Sequence, residues 1–383
     1  MEFLEANEFL SQTGAVSSEL LDACTGLASA PDGFERIWAA FEPMDLMQKC
    51  VQVARPQTGE TWQFLCDEGT SLGGTDWAPP PLAYFAAGLA SSVTGSIIHH
   101  LSGQGVSADA VSIALDNNYI LRGSILRGTM EGNGRDADVA VTIADERLSP
   151  KDKSSLVLQA VSGGMAGYLL KSVFISEFGL VINGAKVPLD LPDCRLDVDV
   201  AALPMAGLES SEGAFVTKAF LRPADSSFEA GTGKGADAVQ DRSIKVSAVA
   251  KVGREGLTVM QAGIARPDAS VYNILGTADS GAPGAPSSAC LIAAGIGFCF
   301  MTQLGRYGEA VKRPIHDYRM IQAIDIPLSG ANVSQPPVIG TKLFLNQDEP
   351  DAGFARDLAQ SAKRTCFLHS TLQTRLRSRI SVR

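Results

Sequence analysis

The chain has 383 residues, of which 45% are hydrophobic and 19% charged, and its net charge is −10 at pH 7, with a pI near 5.0. That length suits two or three domains with a sizeable core. The acidic balance argues against a nucleic-acid footprint, which needs a basic face. No unbroken apolar run reaches the roughly 18 residues of a membrane-spanning helix. The opening Met1-Glu2-Phe3-Leu4-Glu5 lacks the basic region and apolar core of a signal peptide, so a cytoplasmic protein is expected.

In chain order, residues 1–45 read as a helical extension. Phe9-Leu10, Leu20-Leu21 and Leu27, then Phe34, Ile37-Trp38 and Phe41, recur at helical spacing around a break at Asp32-Gly33. Val51 and Val53, then Trp62 and Phe64, alternate about a Pro56/Gly59 turn, as a hairpin would. A loop from Asp67 to Trp77 leads to Pro79-Pro80-Pro81 and an apolar helix carrying Leu82, Phe85, Leu89, Val93 and Ile97, which ends near Gly103. Strands follow around Val111–Leu115, Ile120 and Val139–Ile143. A helix from Ser149-Pro150 to Leu169-Leu170 and a strand pair, Val173–Ile175 and Leu180–Ile182, close the first half.

Ser210 to Gln240 reads as a linker, within which Phe215 to Leu221 has strand character. Glu229-Ala230-Gly231-Thr232-Gly233-Lys234-Gly235 lacks the spacing and the Lys-Ser/Thr ending of a phosphate-binding loop, and is read as linker too. The second half then repeats the first. A hairpin (Ile244, Val246 and Val249, then Leu257 and Val259) turns at Gly253–Gly256. A Gly/Pro-rich loop runs from Arg266 to Pro286, and a helix carries Cys299 and ends after Arg306-Tyr307-Gly308. Strands span Asp317–Ile326 and Val338–Leu345, and a helix from Asp351 to Leu376 carries Cys366. Ala86-Ala87-Gly88-Leu89-Ala90-Ser91-Ser92-Val93 and Ala293-Ala294-Gly295-Ile296-Gly297-Phe298-Cys299-Phe300 correspond, with Ser92 where the second copy has Cys299. An internal duplication is expected.

The seven cysteines (Cys24, Cys50, Cys66, Cys194, Cys290, Cys299, Cys366) are irregularly spaced and include no Cys-x-x-Cys pair. That pattern argues against a zinc ribbon or a thioredoxin-type site. Reduced thiols are the expected state.

Two stretches carry a resemblance. One is Leu65-Cys66-Asp67-Glu68 through Leu72-Gly73-Gly74-Thr75-Asp76 to Ala78-Pro79-Pro80-Pro81-Leu82, followed by its small-residue helix. The other is the second half, with Cys299 in its central helix and Arg364-Thr365-Cys366-Phe367-Leu368-His369-Ser370-Thr371-Leu372 in its last. From about residue 46 to the end the chain resembles the osmotically inducible protein C (OsmC/Ohr) superfamily. The resemblance implies an α+β fold: two OsmC-like domains, with curved antiparallel sheets around long central helices, intertwined as an intramolecular pseudo-dimer. It implies a first domain at 46–200, a linker at 201–240 and a second domain at 241–383, and leaves further oligomerisation open. By motif position it makes Cys299 the peroxidatic and Cys366 the resolving thiol of an organic hydroperoxide reductase. The substrate would be a small molecule and the reductant a dithiol, with no metal, no cofactor, and neither nucleic acid nor membrane as a partner. The first half, with Ser92 and Val161-Ser162-Gly163-Gly164 at these places, has no cysteine pair. The family's glutamate position holds Ala289 and Cys290, and its arginine has Arg266 and Arg254 as local candidates, with Arg55 or Arg127 from the other half.

A cysteine attacks as thiolate, and a free thiol has a pKa of about 8.5. Burial in a helix raises that value, so a cation must lie close for Cys299 to react. The alternative is a small packing residue in a tight helix contact. His369 shares a helix face with Cys366 and is either a base or donor for it or a satisfied histidine. His99-His100 suits its helix end and lacks further metal ligands. Asp67 and Glu68 are exposed loop acids or face the other half's site. The other five cysteines read as packing, and Arg375, Arg377, Arg379 and Arg383 as a solvated end. Besides peroxide reduction, two readings remain: a non-catalytic small-molecule-binding or scaffold protein that kept the fold, and a hydrolase or transferase using Cys299 as nucleophile.

Overall fold

A computed structural model describes the chain except for residues 1, 17–18, 26, 28, 197–210, 224–241, 254–255, 279–283, 329–332 and 334. The Gly-rich Glu229–Gly235 stretch and Arg254 lie outside the described residues. The first half contains α1 (Glu2–Leu10), β1 (Gly14–Ala15), α2 (Glu19–Thr25), β2 (Phe34–Pro43), β3 (Lys49–Arg55), β4 (Glu60–Cys66), α3 (Pro81–Leu101), β5 (Val111–Arg122), β6 (Glu131–Gly134), β7 (Ala137–Ile143), α4 (Pro150–Gly163), α5 (Met165–Lys171), β8 (Ile175–Ile182) and β9 (Ala185–Val187). The second contains β10 (Val216–Leu221), β11 (Arg242–Val252), β12 (Thr258–Ile264), β13 (Ser270–Gly276), α6 (Ser288–Ala310), β14 (Tyr318–Pro327), β15 (Val338–Leu345), α7 (Ala352–Thr365), α8 (Phe367–Leu372) and β16 (Ser378–Val382).

The strands form two sheets, each drawing on both halves. One has the order β1-β4-β3-β2-β14-β15-β8-β9, the other β10-β13-β12-β11-β5-β7-β16, with β6 beside β5. In each sheet a three-stranded meander of one half meets two strands of the other along a central antiparallel pair: β2 with β14 (Trp38 opposite Ala323) and β11 with β5 (Ala248 opposite Leu115). The sheets are mixed, which corrects the expectation of antiparallel ones: β15–β8 and β7–β16 run parallel. β8 and β16 each return from a helix pair to a strand of the opposite half, so no hairpin dictates their direction.

Residues 34–43, expected to be helical, form β2 inside the first sheet. The strand is covered on both faces. Ile37, Ala39 and Phe41 face the main core, while Trp38 and Ala40 pack with Leu20 and Cys24 of α2. A strand buried on both sides loses its period-two signature. β13 lies within the segment read as the Arg266–Pro286 loop, where Ser, Asn and Gly dilute a short strand pattern. The final basic run forms β16, and Arg379 pairs with Asp138 of β7 at 2.6 Å.

Helix starts follow local chemistry. Pro81 opens α3, while Ser287 and Asp351 cap α6 and α7 by accepting the N–H groups of Cys290 and Phe354. α3 and α6 have the length and hydropathy of membrane spans, yet 83% and 94% of their most apolar windows are buried inside the protein, as in core helices. α3 packs on β5, β11 and β12, and α6 on β2, β3 and β14. The two helices cross through glycines. A Cβ on Gly88 would lie 2.6 Å from Ile292 Cγ1, and one on Gly295 would lie 2.9 Å from the Phe85 nitrogen and the Pro81 oxygen. Gly295→Ala should therefore cost about 1–3 kcal/mol in denaturant unfolding. Gly163→Ala, with open space at its Cβ position, should be neutral or stabilising by up to about 1 kcal/mol.

Candidate functional site

The segments read as single helices after Ser149 and Asp351 each break once. The break residues are Gly164 and Cys366, both extended, and each donates its N–H to the last turn of the preceding helix. The break sets Cys366 and α8 against α6. There the Cys299 and Cys366 thiols lie close enough for each to shift the other's titration, and the Leu368 N–H faces Cys299. Both thiols are free and buried. His369, fully buried, places Nδ1 3.2 Å from Cys366 Sγ.

Cys299 opens onto a cavity of about 430 Å³, and Cys366 lies behind it. Leu72, Leu82, Leu121, Ile244, Ile264 and Phe367 supply apolar wall. Glu68, Thr302, Gln303 and three arginines, Arg242, Arg266 and Arg306, supply the polar part. Five backbone segments distant in sequence therefore build the cavity: the loop after β4 with the start of α3, β5, β11–β12, α6 and α8.

Glu68 belongs to the loop singled out in the sequence, and Asp67 holds that loop in shape. Its carboxylate accepts the Glu68 and Trp77 N–H groups at 2.7 and 3.1 Å, and both the N–H and the hydroxyl of Thr75. Asp76, at φ 58°, is anchored from the second half by Ser270, by the Tyr272 hydroxyl (2.8 Å to its carbonyl) and by the buried Lys218 ammonium. The two loop acids are thus buried, not exposed, and only Glu68 of the pair lines the cavity.

Glu68 accepts the Thr302 hydroxyl at 2.7 Å. Burial raises its pKa above 4.5, against the pull of Lys49, Thr302 and Arg306. The folded chain thus holds this proton more tightly than the unfolded one. The resulting stability is fully present below about 4.5, the ordinary value, and is lost as pH rises through the folded value. Glu68→Gln should therefore gain stability over wild type as pH rises from 4.5, with little difference below it; denaturant unfolding across pH checks this.

Arg306 donates to Gln303 at 2.9 Å. Burial lowers its pKa, while Glu68 and Cys299 oppose that shift. Arg266 lies over Gly69, where an added Cβ would meet its Nη2 at 2.6 Å. Arg55 is far from this cavity, in a buried cluster with Glu35 and Glu60, and Arg127 is an exposed turn residue. Cys290 lies against the Arg55 cluster, 3.9 Å from Glu60. Among the described residues no His/Cys/Asp/Glu group has the arrangement of a metal site.

Burial, then the Cys366 contact, pushes the Cys299 thiol well above the ordinary value. Burial acts on Cys366 in the same sense, but its interactions with Cys299 and His369 override it and hold Cys366 well below the ordinary value. The two thiols titrate as one system.

The first half shows the same frame stripped of its polar groups. Ser92 lies as far into α3 as Cys299 into α6, and accepts the Ala166 N–H at 3.3 Å as Cys299 faces that of Leu368. By the same count Gly95 stands for Thr302, Ala278 for Glu68, Gly164 for Cys366 and Gly167 for His369. Ala278 packs directly against Gly95. Sequence reading missed Thr302 and Arg306, although both follow Cys299 on one helix face at i+3 and i+7.

Searches against protein-family models, curated proteins and solved structures return no match to this chain.

Proposed function

We propose that the chain is a thiol peroxidase that reduces organic hydroperoxides, built as two OsmC-like domains intertwined into an intramolecular pseudo-dimer. The single observation that carries this reading is the juxtaposed Cys299–Cys366 thiol pair, with Cys299 facing a largely apolar cavity. The exchange of strands between the halves and the resemblance of the motif stretches support it. Cys299 attacks the distal peroxide oxygen, the O–O bond breaks, and the alcohol leaves. The Cys299 sulfenic acid condenses with Cys366 to a disulfide and water, and an external dithiol restores both thiols. Domain two supplies the thiols, and domain one supplies Glu68 and cavity wall. The reaction needs no metal or cofactor, and the proposed setting is the cytoplasm.

The test is conversion of an organic hydroperoxide to its alcohol in the presence of a dithiol. Turnover supports the reading, and its absence rejects it. Arg266 lines the cavity, with its guanidinium over Gly69. Arg266→Ala should lower kcat/KM by about tenfold or more, the effect of losing one charge-assisted contact. Steady-state kinetics would detect the change.

One observation favours a second reading. Burial raises the Cys299 thiol, and among the described residues no cation bonds to it directly. A non-catalytic binding protein would keep the cavity, bind an organic molecule there and leave the peroxide unchanged.

A further inference from the structure

Most of the remaining thiols are silent at neutral pH. Burial pushes Cys24 up to about 12 and Cys194 up to about 11, and raises Cys66 and Cys290 as well. Cys366 differs because of its neighbour. His369 is fully buried, bonds Cys366 Sγ through Nδ1 at 3.2 Å, and leaves Nε2 without a partner. The rings of Phe178 and Phe300 flank the imidazole, each with its centroid 5.4 Å away. Aromatic rings favour a cation at this range, and a buried thiolate requires a paired charge. The other titratable groups facing the thiols are Tyr119 of β5, whose phenol burial keeps neutral, and Glu68 and Arg306 at the cavity.

We propose that Cys366 and His369 rest as a thiolate–imidazolium pair, and that this pair is the base that takes the proton of Cys299. His369 is then a positioning residue acting through Cys366, and its catalytic part rests on the peroxidase reading. In the resting state Cys299 donates its S–H to the Cys366 thiolate. When peroxide enters, that proton passes to Cys366, and the Cys299 thiolate forms the S–O bond as the O–O bond breaks. The departing alkoxide takes a proton from solvent. Cys366 then attacks the sulfenic sulfur, and its proton leaves with the hydroxide as water. With the thiolate consumed, His369 loses its counter-ion and releases one proton, which balances the one taken up by the alkoxide. The arrangement keeps the thiolate where the cavity does not reach and leaves the accessible thiol protonated until it is used.

The test is a pH titration of thiolate ultraviolet absorbance in the fully reduced protein, which needs no peroxide turnover. Wild type should show one thiolate per chain at neutral pH. Cys299→Ser should keep a thiolate and Cys366→Ser should lose it. His369→Asn should raise the midpoint by about 1–3 pH units, the effect of an adjacent opposite charge. A thiolate that disappears with Cys299→Ser and survives Cys366→Ser overturns the proposal, as does a midpoint unmoved in His369→Asn. Should the asparagine variant fail to fold, the ring-nitrogen chemical shifts of His369 in wild type decide. Two protonated nitrogens at neutral pH support the pair, and a neutral ring overturns it. Because these readouts are independent of peroxide, a peroxidase-inactive protein could still hold the pair, and an active one could lack it.

Discussion

Cys299→Ser should lower organic hydroperoxide reduction by at least about a thousandfold, the scale of removing a nucleophile. A serine hydroxyl can fill the space, as Ser92 does beneath Ala166 in the other half, so folding should be preserved and the loss should be chemical. Cys366→Ser should behave differently. The attack at Cys299 should slow for want of its proton acceptor, and the sulfenic acid it forms should persist, because nothing condenses with it. A sulfenic-acid probe followed by mass spectrometry distinguishes the two variants. Wild-type rates in Cys299→Ser would mean that another group carries the reaction. The same reasoning covers a transplant: Ser92→Cys with Gly164→Cys should not create a second active site. Around Ser92 stand Gly95 and Gly167 of the first half and Ala278 of the second, where the Cys299 site has Thr302, His369 and Glu68.

The second large effect concerns stability. Arg55 bonds Glu35 through two nitrogens at 2.7 and 2.8 Å and Glu60 at 2.9 Å. Its side chain is 8% exposed and that of Glu35 3%. Arg55→Met would leave the Glu35 charge buried without this partner. Breaking a buried pair by removing one member costs about 3–5 kcal/mol. The cluster ties β2, β3 and β4 together, and β4 leads directly into the loop that carries Glu68. Denaturant unfolding should show a lower midpoint for Arg55→Met. The double variant Arg55→Met with Glu35→Gln should recover part of the loss, since it also removes the stranded charge.

Much of this architecture was legible in the sequence. The apolar stripes of α3 and α6, the β3–β4 hairpin and the duplicated order depend on local periodicity, which a linear reading captures. The two small-residue runs mark the helix crossing because Gly88 and Gly295 are where backbones approach. β2 was hidden because it is buried on both faces, so its apolar residues do not alternate. The break at Cys366 was hidden because the flanking residues continue a helical pattern, whereas at Gly164 the Gly163-Gly164 pair was a propensity signal that the apolar pattern on either side outweighed.

Of the residues named from the sequence, Cys299 and Arg266 line one cavity and Cys366 and His369 adjoin behind it, whereas Arg55 and Arg127 do not line it. The cavity's other charges were harder to read. Glu68 and Thr302 hydrogen-bond across 234 residues of sequence, a separation that no spacing rule covers. Ala289 and Cys290 stand at the start of α6, and the cavity's acid, Glu68, is contributed by the other half.

In the proposed chemistry Cys299 and Cys366 act as one redox pair. The most direct measurement treats the reduced protein with one equivalent of an organic hydroperoxide, then counts free thiols and maps cross-linked peptides by mass spectrometry. The expected result is loss of two of the seven thiols, one equivalent of alcohol, and a single cross-link joining the peptides of Cys299 and Cys366. Seven free thiols with the peroxide intact, or oxidation of Cys299 with no link to Cys366, would contradict it.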